Sequence, residues 1–336
     1  MKEISLKMPD LEFLDESICS IVGRIADNET LLVTDPYNFP KVSGHKNIVV
    51  VRNNDSGQIP IIKESREYRR IIAVGGCAAL DIGRACAGGK PIIVIPAILS
   101  TSCISLDRSV IKYNGVNTLE KTTLPEKVLI SMKDLLEMPQ SELVKWCRSG
   151  FGDLFTMVAA SIDLQYKSGD MSRDKVIANV RECFDALEWV IKNFDGYNDF
   201  SVRALARFLH DSSLVMVKRD NSALNAAGEH VLYHALLKLQ KQYTSLRPTH
   251  GQIVAAGTII AVFIYGEQTR DMSIYEKIRT AFAKLGIAIS YGELSIAGIE
   301  KEHIVEGLAA ITGSGTHLGD YFKTGNFEVL DRIFLA

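Results

Sequence analysis

Asp153, His230 and His250 are the residues of this 336-residue sequence best suited to chemistry. Asp153 closes the run Ser149-Gly150-Phe151-Gly152-Asp153, His230 follows Gly228-Glu229, and His250 stands between Thr249 and Gly251-Gln252. One carboxylate and two imidazoles suit a catalytic divalent-metal site that keeps a coordination position open. A lone histidine in a helical region is more often a structural or surface residue. The glycine close to each candidate strengthens the metal reading, because several backbones must approach closely to converge on one ion. His234 lies one helical turn after His230, on the same face. It could be a third imidazole ligand, a proton carrier facing substrate, or a helix-face histidine bonded to backbone. His45, His210, His303 and His317 lack that setting and read as structural or surface residues.

A second constellation lies upstream. Gly75-Gly76-Cys77-Ala78-Ala79-Leu80-Asp81 directly follows the apolar run Ile71–Val74. Glycines after a strand let the backbone approach a pyrophosphate, and the next helix N-terminus favours negative charge. The segment is not G-x-G-x-x-G, and an ordinary tight strand-to-helix turn explains it equally well. Asp35 ends Leu31-Leu32-Val33-Thr34, where a carboxylate accepts hydrogen bonds from a ribose diol and repels a 2′-phosphate. A turn aspartate before Pro36 is the commoner fate of Asp-Pro. A nucleotide half followed by a metal half suggests chemistry on an alcohol or ketone.

The elements that position these residues follow from pattern. Leu31–Val33, Asn47–Val51, Ile71–Val74 and Pro91–Ile95 are continuous β-branched runs, as in strands buried on both faces of a parallel sheet. Ala78–Ala87 between the last two reads as a helix and completes a βαβ unit. Beyond Pro139 apolar residues recur at spacings of three and four, as in Leu154-Met157-Val158-Ser161, Ala186-Leu187-Val190-Ile191, Leu205-Phe208-Leu209 and Leu232-Leu236-Leu239. That spacing predicts helices. The expected division is 1–138, an α/β nucleotide-binding domain with a Rossmann-like parallel sheet, and 139–336, an all-α metal- and substrate-binding domain. The boundary is sought within 115–140, where Asn114-Gly115 and Pro125 break the pattern.

Bulk composition narrows the function classes. Hydrophobic residues make up 47% and charged residues 23%, so a packed core is expected. A net charge of −2 gives no electrostatic reason for a nucleic-acid or anionic-membrane partner. The six cysteines form no C-x-x-C pair, which argues against a thiolate zinc site or a disulfide framework and for a cytoplasmic protein. No apolar run approaches the ~20 residues of a membrane span, and the N-terminus lacks a signal-peptide core.

Taken together, the motifs resemble the superfamily of dehydroquinate synthase, glycerol dehydrogenase, glycerol-1-phosphate dehydrogenase and the iron-containing alcohol dehydrogenases. Val33-Thr34-Asp35 resembles its ribose-binding strand end, and Gly75-Gly76-Cys77 with Asp81 its Gly-Gly-Gly-x-x-x-Asp phosphate turn. Ile95-Pro96-Ala97-Ile98-Leu99-Ser100-Thr101 resembles the Pro-Thr-x-x-Ser-Thr loop beside the cofactor. Gly150-Phe151-Gly152-Asp153 resembles the metal aspartate segment, and His250-Gly251-Gln252-Ile253-Val254 its His-Gly-x-x-Val segment. Glu229-His230 with His234 resembles the Ser-Glu-His-x-x-x-His pattern of glycerol-1-phosphate dehydrogenases. Departures are Cys77 for the third glycine, Arg84 for a common lysine, and Ser102 where polyol dehydrogenases usually carry aspartate. Met157 stands where iron alcohol dehydrogenases place another histidine, which favours a three-ligand, zinc-type branch.

The resemblance implies a dehydroquinate synthase-like fold and metal-assisted hydride transfer between NAD or NADP and a small polyol or ketone, phosphorylated or not. It implies metal ligands Asp153, His230 and His250, with zinc foremost, and cofactor contacts at Asp35, Gly75, Gly76, Asp81, Ser100 and Thr101. His234 would pass the proton. Arg219 and Arg247 are candidate phosphate contacts, although solvated surface arginines are the commoner case, and Asp107-Arg108 is a candidate substrate contact or a surface ion pair. Size and class suggest a homo-oligomer. Two rivals stay open: a sugar-phosphate cyclase of the dehydroquinate synthase type, and a non-catalytic nucleotide-binding relative.

Overall fold

The four apolar runs all fall on neighbouring strands of one sheet; Leu31–Val33, Ile71–Val74 and Pro91–Ile95 are nearly all removed from water, whereas Asn47–Val51, expected to be buried on both faces, supplies the edge strand Ile48–Val50 with Val50 exposed. The computed structural model describes residues 7–65, 67–220, 222–224, 227–240, 248–296 and 298–335. The chain divides into two units, one of Met1–Val144 with Tyr197–Lys218, the other of Lys145–Gly196 with Arg219–Ala336.

The first unit is built on β1 (Asp10–Leu14), β2 (Thr30–Thr34), β3 (Ile48–Val50), β4 (Arg70–Gly75), β5 (Ile92–Pro96), β6 (Arg108–Tyr113), β7 (Val116–Lys121) and β8 (Lys127–Ser131). Six strands form a sheet in the order β1-β8-β5-β4-β2-β3, and every pairing in it is parallel. Side chains alternate across it. Leu32, Ile72, Val74, Ile95 and Leu129 pack with Ile18, Ile21 and Val22 of the helix Ile18–Ile25. Leu31, Val33, Ile71, Ala73 and Val94 take the opposite face and are equally buried. There the helix Cys77–Ala87 lies so close that a Cβ on Gly83 would stand 2.6 Å from Ala73 Cβ. With both faces covered, the strands carry unbroken apolar runs.

Asn114-Gly115, read from sequence as a break, is the two-residue turn of a β-hairpin. Tyr113 pairs with Val116 across it, and both turn residues have positive φ, 49° and 84°. That is the primed turn Asn-Gly favours. The helix Asp199–Arg219, expected among the helices of the second half, contributes nearly its whole length to the first unit. Its Met216 and Val217 pack with Leu106, its His210 ring hydrogen-bonds Ser105 Oγ at 2.7 Å, and Ser213 Oγ donates to the Ser102 carbonyl.

The second unit is helical. Its central helix, His250–Thr269, buries nearly every residue from Gly251 to Gly266, so it is apolar all round. Gly228–Gln240 and Ser273–Leu285 pack against it, Gln140–Ser168 (from Lys145 onward) meets its start, and behind them Arg181–Asn193 packs on Ser273–Leu285 and Lys301–Ala310 on Gly228–Gln240. The Phe155 ring stacks on Phe151 and meets Phe282 at a tilt, both at centroid separations of 6.1 Å. Among the described residues no helix is long and apolar enough to cross a membrane.

Candidate active site

In the first unit, β4 ends at Gly75, whose φ of +141° lies in the region that favours glycine. Its missing side chain is also required sterically, because a Cβ there would stand 2.1 Å from Asp35 Oδ2. The same Oδ2 accepts the Gly76 N–H at 2.9 Å, while Oδ1 accepts the Asn38 backbone and side-chain N–H groups at 2.8 and 3.0 Å. Asp35 thus ties the end of β2 to the glycine turn of β4. Gly76 caps the helix Cys77–Ala87 without a side-chain cap, leaving that N-terminus to backbone groups. Cys77 Sγ is 3.4 Å from Thr101 Oγ1 and 3.9 Å from Ser100 Oγ, which brings the Ser100-Thr101 loop to the same turn. Asp35, Gly75, Gly76, Ser100 and Thr101 are therefore neighbours.

Asp81 is placed differently. It is 4% exposed and its Oδ1 lies 2.7 Å from Arg84 Nη2. Arg84 is fully buried and also bonds Ser109 Oγ and the Cys103 carbonyl. Burial pushes the Asp81 carboxyl up, against the pull of the Arg84 guanidinium. The pair explains the arginine at position 84, since a planar fork reaches several acceptors where a lysine supplies one compact charge.

The second unit assembles the other constellation. The helix Gln140–Ser168 meets the start of the helix His250–Thr269 almost backbone to backbone. A Cβ on Gly152 would lie 2.3 Å from the Gly251 carbonyl oxygen, and one on Gly251 would lie 1.9 Å from that of Ser149. Ser149 Oγ accepts the Gly251 N–H at 3.1 Å. Asp153, next to Gly152, is thereby set beside His250, next to Gly251. The His250 Nε2 to Asp153 Oδ1 distance is 2.9 Å. A capping box formed by Thr249 and Gln252 fixes His250 at the first helical position.

His230 comes from the first turn of the helix Gly228–Gln240. Its Nε2 is 3.8 Å from Asp153 Oδ1, its Nδ1 is 2.9 Å from Glu229 Oε1, and its ring lies 5.0 Å from that of His250. One donor atom from each of Asp153, His230 and His250 falls within 4.8 Å of the others. A tetrahedral ion with bonds of about 2 Å needs donors roughly 3.3 Å apart. The 2.9 and 3.8 Å separations bracket that value, so the three residues fit a divalent metal. Burial opposes a charge on His230, yet the Glu229 hydrogen bond and the Glu229 and Asp153 charges outweigh it and hold its pKa above the ordinary value.

His234 is exposed one turn further on, its ring 5.2 Å from that of Tyr233. Desolvation of the ring, then the neighbouring His230, His250 and Lys238, lower its pKa below 6.5. Tyr233 stands edge-on to His250 at 4.4 Å. Arg219 is an exposed residue at the end of the helix Asp199–Arg219, and Arg247 lies outside the described residues. Asp107 is buried and paired with Lys121 at 2.6 Å, with Arg108 at 3.8 Å. Ser102 and Met157 are fully buried. His45, His210, His303 and His317 each hydrogen-bond protein groups through a ring nitrogen. The sequence alone assigns no role to Glu229, Tyr233 or Asn38; the signals it holds are an acid directly before His230 and an aromatic three residues after it.

No family model matches the chain. The glycerol-1-phosphate dehydrogenase of Methanococcus maripaludis is 22% identical over 320 residues, covering 90% of each chain. That of Pyrobaculum aerophilum is 28% identical over 268 residues, 77% of this chain and 72% of its own. Among solved structures, glycerol dehydrogenase from Schizosaccharomyces pombe superposes with a TM-score of 0.68 at 16% identity, covering 97% of this chain and 91% of that one. An iron-containing alcohol dehydrogenase from Corynebacterium glutamicum gives 0.61 at 14% identity, covering 98% and 95%. By sequence the chain is similar to glycerol-1-phosphate dehydrogenases, and its fold is similar to that of glycerol and iron-containing alcohol dehydrogenases. Its architecture, a Rossmann-like parallel sheet followed by a largely helical C-terminal part, is the dehydroquinate synthase-like one.

Proposed function

We propose that the chain is a metal-dependent, NAD(P)-linked oxidoreductase that interconverts a small polyol, free or phosphorylated, and its ketone. The observation that carries this reading is the meeting of Asp153, His230 and His250 in a chain whose sequence relatives are glycerol-1-phosphate dehydrogenases. When bound, a divalent ion, zinc on this reading, supplies a Lewis acid for the substrate oxygen, and the nicotinamide gives or takes the hydride.

The chain's own residues bind and orient. Asp153, His230 and His250 hold the ion. Gly75 and Gly76 let backbone approach the pyrophosphate at an uncapped helix N-terminus. Asp35 accepts the ribose hydroxyls and disfavours a 2′-phosphate, which makes NAD the preferred cofactor. Ser100 and Thr101 border the same turn. Asp81 acts through Arg84, which holds the Cys103 carbonyl two residues beyond Thr101. His234, whose neutral form is favoured, exchanges the proton of the substrate hydroxyl with solvent. Six free cysteines suit a reducing cytoplasm, a net charge of −2 gives no reason for nucleic acid, and size and class suggest a homo-oligomer.

The test is a coupled screen: zinc, NADH or NADPH, and small ketones including dihydroxyacetone phosphate, followed by absorbance of the reduced nicotinamide. Oxidation of the nicotinamide by at least one ketone, abolished in H250A with nucleotide affinity retained, is expected. Phosphate release without net redox would establish the cyclase alternative, and zinc-independent turnover would contradict the metal assignment.

A further inference from the structure

Glu229 is 1% exposed, and nothing in the chemistry above uses it. Its Oε1 accepts the Ala227 N–H at 2.9 Å and faces His230 Nδ1 at the same distance. Its Oε2 is buried without a hydrogen-bond partner among the described residues. The residue is clamped. A Cβ on Gly257 would stand 2.8 Å from Glu229 Cβ and 2.9 Å from its Cα, so the central helix packs directly against it. The preceding Gly228 admits Leu318 and Thr316 just as closely, its Cβ position lying 2.8 Å from Leu318 Cβ and 3.2 Å from Thr316 Oγ1. Two glycines thus bring neighbouring elements against this turn and leave the Glu229 carboxyl little freedom.

The orientation has a chemical consequence. An ionised carboxylate can only accept, so Oε1, which also takes the Ala227 N–H, meets His230 as an acceptor and Nδ1 brings the proton. The lone pair of the imidazole then resides on Nε2, the nitrogen on the Asp153 side. A histidine that ligates metal through one nitrogen commonly donates its other N–H to a carboxylate, which fixes the tautomer and raises ligand basicity.

We propose that Glu229 is a positioning residue that fixes the Nδ1–H tautomer of His230 and so presents Nε2 as the metal-binding nitrogen. The role rests on the metal reading of Asp153, His230 and His250. Gly228 and Gly257 belong to the same device, since a side chain at either would displace the carboxylate without altering its chemistry.

The experiment has two readouts that need no turnover. Competition of Zn²⁺ against a chromogenic chelator is measured for the full-length wild type, E229Q and E229A, with melting temperatures as a control for folding. A loss of zinc affinity of roughly 10- to 100-fold is expected for E229A, with a smaller loss for E229Q, whose amide oxygen still accepts from Nδ1–H. In the metal-free wild type, at an alkaline pH where the ring is neutral despite its raised pKa, long-range ¹⁵N–¹H correlation should show the single His230 ring proton on Nδ1. Unchanged zinc affinity in folded E229A, or the neutral ring's single proton on Nε2, overturns the role of Glu229 alone. Failure of the wild type to bind Zn²⁺ overturns the metal reading and the positioning role together. Should E229A not fold, the tautomer of the wild type and the E229Q affinity decide.

Discussion

Replacing Gly152 by alanine puts the helix crossing behind the metal cluster to a numerical test. The new Cβ would lie 2.3 Å from the Gly251 carbonyl oxygen, where real Cβ contacts stop at 3.0 Å and ordinary ones begin at 3.4 Å. The two backbones must therefore part by about 0.7 to 1.1 Å, the difference between those distances. Asp153 and His250 adjoin the crossing, so their 2.9 Å contact opens by a similar amount. Metal sites hold their ligand distances to about 0.2 Å, and a displacement near 1 Å in a catalytic constellation costs on the order of 100-fold. Zinc affinity of G152A should fall by about two orders of magnitude, equivalent to about 2.7 kcal/mol. Stability should fall by about 1–3 kcal/mol from overpacking. The assay is chelator competition for zinc beside urea unfolding of the metal-free protein. A folded G152A that binds zinc as the wild type does would refute the argument that this crossing sets the ligand geometry.

Three further outcomes are expected. Asp163 is buried, and burial raises its carboxyl to about 6 although the His317 N–H it accepts at 2.7 Å works the other way. A raised folded value means that its contribution is fully present below the ordinary value of 3.8 and is lost as pH rises through about 6. D163N, neutral throughout, should gain on the wild type by up to about 3 kcal/mol between pH 4 and 7; parallel urea-unfolding curves over that range would expose the idea as wrong. R84M leaves Asp81 buried without its guanidinium and should lose about 3–5 kcal/mol; equilibrium unfolding checks this, and a loss below about 1 kcal/mol would contradict a structural role for the pair. D35A removes the anchor of Gly76 and Asn38 and, on the proposed function, the ribose acceptor with it. Its NADH affinity, read by fluorescence titration, should drop at least about 10-fold, the worth of a charged hydrogen bond, while zinc affinity holds; unchanged NADH affinity would remove Asp35 from the cofactor site.

What could be read from the sequence followed physical periodicity. β2, β4 and β5 were legible because both sheet faces are covered and their apolar runs are continuous. β1 and β8 escaped notice because Asp10–Leu14 is a partly exposed edge strand and Lys127–Ser131 falls where the pattern was taken as a boundary. The hairpin turn at Asn114-Gly115 was visible but read as a break. The return of the helix Asp199–Arg219 to the first unit depends on contacts such as Ser105 with His210, between residues 105 positions apart, which no local pattern encodes. Residue types and adjacent glycines point to Asp153, His230 and His250 as candidate metal ligands, and the structure brings the three together. The reasons for the glycines became visible only at the crossing of Gly152 with Gly251 and the clamp of Gly228 and Gly257 on Glu229. Asp81 carried no sequence sign of its buried arginine beyond the three-residue spacing to Arg84.

X-ray absorption at the zinc edge of the zinc-loaded protein tests the central claim most directly. The account predicts a first shell of nitrogen and oxygen at about 2.0–2.2 Å with the signature of two imidazoles and no sulfur, lost in H250A. A sulfur shell near 2.3 Å, or zinc coordinated identically in wild type and H250A, would contradict it.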